Sequence, residues 1–375
     1  MSQSQNSNIK QVEDKLRAVE QFWQVRLPSA FRKLYTDYAP PFLAPCEFHS
    51  LESIATGEGR EFGMLPQYLP FGRAMGDGGS YGFYITPDSA PGRWPVLYWD
   101  EDEMFLRPAA TDFEAFLSYC ILSARYETEE QWSAEHGDRE EEDRQREIAR
   151  CFGLNAEALF GSPPRSDSEL YERLIAVDPQ NATSLCHIGC LYRARGDGER
   201  ALDFFHRASE SAPWFGDACY LVADIYRERR NSERAVVGWW EVAQRLLPLC
   251  TRTWQWDLGA DHPEADVYEV AADGLMQHDK SATPEMKSNP LWSAVVNEDP
   301  YDPDVREALG NALLKKNDLA GAEREFLNAL SLCSTEKGKQ PVRLYSGLIE
   351  LYEGTSRSRD AALAAYDSKL PRSIL

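Results

Sequence analysis

The chain has 375 residues, 43% of them hydrophobic, enough for a sizeable core and for two or three domains. Lys and Arg total 40 against 61 Asp and Glu, a formal charge of −21. That balance excludes a nucleic-acid binder, which needs cations facing phosphates, and excludes docking on an anionic membrane surface. No run approaches the roughly 20 apolar residues that span a bilayer. The N-terminus, MSQSQNSNIK, is polar and lacks the apolar stretch of a secretory signal. The eight cysteines, at 46, 120, 151, 186, 190, 219, 250 and 333, form no CxxC pair and no disulfide framework. The expectation is a reduced, cytoplasmic, acidic protein, and a basic partner suits it.

Ile9, Val12, Leu16, Val19, Phe22 and Trp23 fall on one helical face, predicting a helix over 9–25. Leu27-Pro28 and Ser29 open a second helix carrying Phe31, Leu34, Tyr35 and Tyr38, which Pro40 and Pro41 stop. From 46 to 107 short aromatic and β-branched runs alternate with glycine and proline. Leu69-Pro70-Phe71-Gly72 leads into the turn Gly76-Asp77-Gly78-Gly79. Strands are expected at Tyr81–Ile85, at Pro95–Trp99 and, shorter, at 104–107. Phe113, Phe116, Leu117, Cys120, Ile121 and Leu122 then mark a helix. The first 125 residues therefore read as an α+β domain, a small antiparallel sheet with flanking helices.

Leu27-Pro28, Phe31, Tyr35, Leu69-Pro70-Phe71-Gly72, Gly76-Asp77, Tyr84, Pro95-Val96 and Phe113-x-x-Phe116-Leu117 form a pattern that resembles the SUKH superfamily. The likeness covers about residues 10–125, a third of the chain. It implies a relation to the yeast cell-wall-assembly regulators and to bacterial immunity proteins that neutralise secreted toxins by direct binding.

Residues 126–165 carry 5 basic and 11 acidic side chains and read as a solvated helical connector. Gly161, Pro163 and Pro164 close it.

From 166 to 375 a 34-residue period is testable position by position. With Ala182 as position 1, Leu185, Ile188-Gly189, Tyr192, Ala201, Phe205, Ala208 and Pro213 fall at 4, 7–8, 11, 20, 24, 27 and 32. A second unit starts at Gly216, with Val222-Ala223, Tyr226, Ala235 and Trp239. A third starts at Pro303, with Leu309-Gly310, Ala322, Phe326 and Ala329. A weaker fourth starts near Val342, with Tyr345, Leu348, Tyr352 and Ala361, and 168–179 reads as a leading half-unit. This pattern resembles the tetratricopeptide family, an all-α solenoid of stacked helix pairs. Small residues at 8 and 20 let helices approach, and large ones at 4, 11 and 24 fill the gaps. Residues 249–300 break the register and are expected to hold one degenerate unit with a loop at 278–290.

No catalytic constellation emerges, and no cofactor is expected. None of the six histidines stands in a metal-ligand spacing. Cys186-His187-x-x-Cys190 occupies repeat-helix positions 5, 6 and 9, so packing explains it better than a metal. Gly76–Gly79 lacks the lysine and the strand-to-helix setting of a phosphate loop, and no Gly-x-Ser-x-Gly is present. The expectation is a non-enzyme.

Two binding surfaces stand out. Asp100, Glu101, Asp102 and Glu103 follow Tyr98 and Trp99, an acidic docking run with aromatic anchors beside it. The first helix of each repeat offers the residues at positions 2, 5, 9 and 12. These are Thr183, Cys186, Cys190 and Arg193, then Asp217, Tyr220, Asp224 and Arg227, then Asp304, Glu307, Asn311 and Leu314. Arrays of this family that grip chaperone tails carry Lys and Asn there, whereas this chain leans acidic. The reading is an immunity or antitoxin protein that occludes a basic, nucleic-acid-targeting toxin. The alternative is a non-catalytic scaffold or regulatory adaptor that recruits a cellular protein.

Overall fold

The computed structural model describes residues 3–38, 42–60, 64–75, 78–86, 90, 92–127, 139–256, 266–335 and 342–369. By its contacts the chain divides into two compact units. One comprises residues 1–60, 67–103 and 108–185, the other 61–66, 104–107 and 186–375.

The first unit opens with α1 (Gln3–Trp23) and α2 (Ser29–Asp37), as the periodicity predicts. An antiparallel sheet follows in sequence order: β1 (Phe42–Leu43), β2 (Cys46–Phe48), β3 (Tyr68–Ala74), β4 (Ser80–Tyr84), β5 (Val96–Asp100) and β6 (Phe105–Ala110). Helix α3 (Leu51–Thr56) lies between β2 and β3, and α4 (Phe113–Glu127) follows β6. The register pairs Tyr68 with Tyr84, Leu69 with Phe83 and Tyr81 with Tyr98, with an irregularity between Pro70 and Gly72. Pro70 still pairs with Gly82 but has no N–H to give, and the register shifts just after it.

Rings fill the space between this sheet and its helices. Phe31 of α2 lies 5.6, 5.4 and 5.1 Å from Phe71, Phe83 and Phe113. Tyr81 and Phe116 meet at 5.0 Å. All six side chains are buried, and such ring pairs add to the apolar area they remove from water. Polar groups at the rim are paired: Trp23 Nε1 donates to the Ile54 carbonyl at 2.8 Å, and Tyr35 Oη to the His49 carbonyl at 2.6 Å.

The connector is built from α5 (Arg139–Phe152) and α6 (Ala156–Phe160), with α7 (Asp167–Val177) after it. Residues 128–138 lie outside the described part. The reading of a solvated helix needs correction for α5. Gln145, Ile148 and Ala149 are buried, Arg125 reaches Glu142 at 3.8 Å, and Lys33 Nζ donates to the Cys151 carbonyl at 2.5 Å. Glu142, Asp143 and Glu147 face solvent while Gln145, Ile148 and Ala149 pack.

The turn that follows α7 caps the free side of β6. Asn181 Nδ2 donates to the Ala109 carbonyl and Thr183 Oγ1 to the Pro108 carbonyl, both at 2.6 Å. The Thr111 N–H donates to Asp178 Oδ2 at 3.0 Å. Pro108 suits an edge strand, and these side chains satisfy backbone groups a neighbouring strand would otherwise claim.

The second unit consists of helix pairs. They are α8 (Ala182–Ala194, whose start belongs to the first unit) with α9 (Gly198–Ser211), and α10 (Gly216–Glu228) with α11 (Ser232–Ala243). After α12 (Val267–Gln277), α13 (Pro284–Ser288) and α14 (Pro290–Val296) come α15 (Pro303–Lys315) with α16 (Leu319–Thr335). The last pair is α17 (Val342–Gly354) with α18 (Ser358–Asp367). The expected loop at 278–290 is in fact largely helical, because Thr283 caps Met286 N and Pro284 starts a turn.

Two local rules repeat along the pairs. A Cβ on Gly189 would lie 2.3 Å from the Phe205 ring, and one on Gly310 would lie 2.8 Å from the Phe326 ring. Position 8 must therefore be small because position 24 is a ring. Each turn also passes through one residue of positive φ: Gly196 (81°), Arg230 (57°), Asn317 (61°) and Ser356 (59°). All four stand at repeat position 15. At position 16, Asp197, Asn231 and Asp318 accept from the N–H three residues on, at 3.2, 3.2 and 3.0 Å, the usual Asx cap of a second helix.

Candidate functional site

The acidic run sits on the β5–β6 turn. Asp100 Oδ1 accepts from the Glu103 N–H at 3.0 Å, and Met104 closes the turn at a φ of 57°. Asp102 is exposed, and Asp100, Glu101 and Glu103 are half-buried. Glu101 Oε2 lies 3.1 Å from where a Cβ on Gly78 would be, which brings the run beside the β3–β4 loop. The two aromatic anchors do not join it at the surface. Tyr98 is 3% exposed and Trp99 1%, because the strand pairs Tyr98 with Tyr81 and Trp99 with Ser80 inside the sheet. Their bulk serves the core, and only the carboxylates are offered to solvent.

The repeat residues divide in the same way. Asp217 is wholly buried. It accepts from the Thr251 N–H at 2.9 Å, from the Thr251 hydroxyl, and from Trp256 Nε1 at 2.8 Å. Burial pushes its carboxyl up to about 7, with these hydrogen bonds pulling the other way. Asp217 is thus an interior clasp and not a contact for a partner. Tyr220 and Asp224 are also buried, and burial raises the Tyr220 phenol above its ordinary value. Asp224 is held by two arginines, Arg193 Nη2 at 2.5 Å and Arg227 Nε at 2.7 Å, while Arg193 also reaches Glu228 at 2.5 Å. The structure brings Arg193, Asp224, Arg227 and Glu228 into one network, with Arg227 about half exposed. On α15, Asp304 and Asn311 are exposed, and Glu307 accepts from Arg343 at 2.5 Å.

Among the described residues no group of three or more His, Cys, Asp or Glu is placed to hold a metal ion, and no helix is long and apolar enough to cross a membrane. Cys186 and His187 are packed: burial raises the thiol and, with Arg107 nearby, lowers the imidazole to about 3.

Sequence reasoning missed a second clasp and a cleft. Arg306 and Glu325 are both fully buried and paired at 2.8 Å, and Arg306 also donates to Tyr268 Oη at 2.7 Å and to the Pro300 carbonyl at 2.8 Å. Nothing in the local sequence marks them, since Arg306 and Glu325 read as solvent-facing helix positions. The cleft, about 550 Å³, lies between the start of α4, the α5–α6 turn and the end of α7. Three distant stretches line it, so no single motif announces it.

In comparisons with known proteins, residues 12–119 match the model of the SMI1 / KNR4 family (SUKH-1). None of the curated proteins matches the chain. One solved structure, described as "Functional Characterization of Pseudomonas Aeruginosa pilF", aligns with 12% identity over 68% of this chain and 92% of that chain, at a TM-score of 0.25. The family match spans the whole of the sheet and most of α1–α4, and the helix pairs carry the tetratricopeptide spacing. Residues 12–119 are therefore similar to the SUKH-1 family, and helix pairs with tetratricopeptide-like spacing follow them.

Proposed function

We propose that this protein is an immunity protein: it binds a basic secreted toxin and blocks its active surface, without catalysis of its own. The observation that carries the reading is the SUKH-1 match over residues 12–119, joined to a net charge of −21. Toxins that act on nucleic acid are basic in their clefts, and an acidic inhibitor is steered to such a cleft and excludes its substrate. The carboxylates at Asp100–Glu103 and Asp304 of α15 are the contacts proposed for that partner, while Glu307 is mostly covered and paired with Arg343. Arg227, about half exposed and held against the buried Asp224, is proposed as a further contact, as is the exposed Asn311 of the third unit.

The test is recovery of the tagged full chain from its native organism, with partners identified by mass spectrometry. A basic protein encoded beside this gene is the expected companion. An acidic or housekeeping partner in its place would move the assignment to a scaffold or adaptor. Neutralising Asp100, Glu101, Asp102 and Glu103 to amides should weaken binding and flatten its salt dependence. Unchanged affinity would remove that run from the interface.

A further inference from the structure

We propose that the edge formed by the α8–α9 and α10–α11 turns is a docking surface for a carboxylate-rich segment of a second protein. This goes beyond the immunity reading and does not rest on it. Residues 193–200 and 227–234, the two turns with their flanking helix ends, hold seven arginines against four carboxylates. The edge is thus positive in a chain whose net charge is −21. The two turns stand side by side. Arg193 reaches Asp224 and Glu228 of α10, both at 2.5 Å, and Arg229 Nη1 donates to Glu199 Oε1 at 2.7 Å.

Arg195, Arg200, Arg227, Arg229, Arg230 and Arg234 are exposed. Arg227 is engaged by Asp224 and Arg229 by Glu199. Among the described residues, Arg195, Arg230 and Arg234 pair with no carboxylate, and Arg200 has only Asp197, at 3.9 Å. Two of these four guanidiniums are also braced. Arg200 lies 5.0 Å from the Tyr192 ring centre and Arg234 5.2 Å from that of Tyr226, and Arg234 Nη1 donates to Tyr226 Oη at 3.1 Å. Both pairs join repeat position 19 to position 11, so the same brace is built twice. The ring takes the guanidinium face and leaves N–H groups at its edge for a carboxylate. A braced side chain also has less freedom to lose on binding. The other pairs lack this arrangement. The third has Leu313 and Gly321 at the two positions. In the fourth, Tyr352 holds Arg357, which Glu323 and Asp360 neutralise. The edge contains no lysine, and an arginine fork can take a carboxylate through two parallel hydrogen bonds where an ammonium cannot. A nucleic acid would run past this edge into the field of a strongly acidic chain, whereas a short acidic protein segment ends within it.

The test titrates full-length protein into fluorescein-labelled hexaglutamate, read by fluorescence anisotropy, with labelled hexaglutamine as the uncharged control. Saturable binding of hexaglutamate alone, weakening as salt rises, is expected. Arg195→Gln, Arg230→Gln and Arg234→Gln together should lower the affinity about tenfold with far-UV dichroism unchanged, and lysine at the same three positions should restore part of it. Equal binding of hexaglutamine, or hexaglutamate binding that the three glutamines leave intact, overturns the proposal. A six-nucleotide single-stranded DNA that competes more strongly than unlabelled hexaglutamate overturns the choice of a protein segment. Self-association of the chain that the three glutamines abolish overturns the choice of a second protein, because another copy would then be the occupant. No toxin enters these measurements, so their failure leaves the immunity reading standing, and a missing toxin leaves them standing.

Discussion

The two units hold themselves together by different means. The sheet is locked by rings: Phe31, Phe71, Phe83, Phe113 and Phe116 form a continuous apolar cluster with no ionised member. The helix pairs bury charge at several points: Arg306 with Glu325, Asp217 under Thr251 and Trp256, and Asp224 under two arginines. A ring cluster responds to volume and hardly to pH. A buried polar clasp responds to protonation and to the loss of a single partner. The acidity of the chain is therefore not all surface: part of it is structural, and that part is concentrated in the helical unit.

Four measurements break or sharpen this contrast. Phe31→Ala should cost about 4 kcal/mol, by lost transfer and a cavity among four rings, and the cost should be equal at pH 5 and pH 8. Urea unfolding at both pH values checks it. Arg306→Ala should cost about 3 kcal/mol, because Glu325 stays buried with only Arg324 beside it at 2.6 Å. Arg306→Met with Glu325→Leu should recover most of that loss, whereas no recovery would mean the pair does more than fill and neutralise.

Asp217 gives the pH arm. Its carboxyl sits at about 7 in the fold against about 3.9 in the unfolded chain. Between those values the folded state holds a proton that the unfolded state has released, so stability falls as pH rises from about 4 to about 7. Asp217→Asn should remove this slope, a difference on the order of 2 kcal/mol between pH 5 and pH 8. Identical slopes in the two proteins would show that the clasp does not titrate. The smallest effect belongs to the caps: Asp197→Ala should cost about 1 kcal/mol and raise amide exchange at Arg200 without touching the sheet.

Much of the fold is legible in the sequence because its periods are long. Small residues are expected at position 8 and large ones at position 24, and in the structure they meet, Gly189 against Phe205 and Gly310 against Phe326. The strands at Tyr81 and Val96 are also expected, and they extend to Tyr84 and Asp100. β1 and β2 escape notice because two and three residues are too few to show alternation, and α3 is a single short turn capped by Ser50. The Asx cap at position 16 was available as a signal: Asp197, Asn231 and Asp318 share one register, each after a residue in the left-handed region. The sites were less legible. Tyr98 and Trp99 next to four carboxylates look like anchors, but a strand covered on both faces takes its aromatics inward. Asp217 looks like a surface acid, yet Thr251 and Trp256 from a later segment enclose it. The cleft depends on residues 111–118, 153–155 and 177–180 meeting in space, which no local pattern encodes.

The most direct test of the central claim is co-expression. The chain is produced together with the product of a neighbouring gene, in cells that this product alone stops from growing. The account predicts restored growth and a complex that co-purifies at low salt and loosens as salt rises. Continued arrest, with both proteins soluble and no complex at low salt, would contradict it.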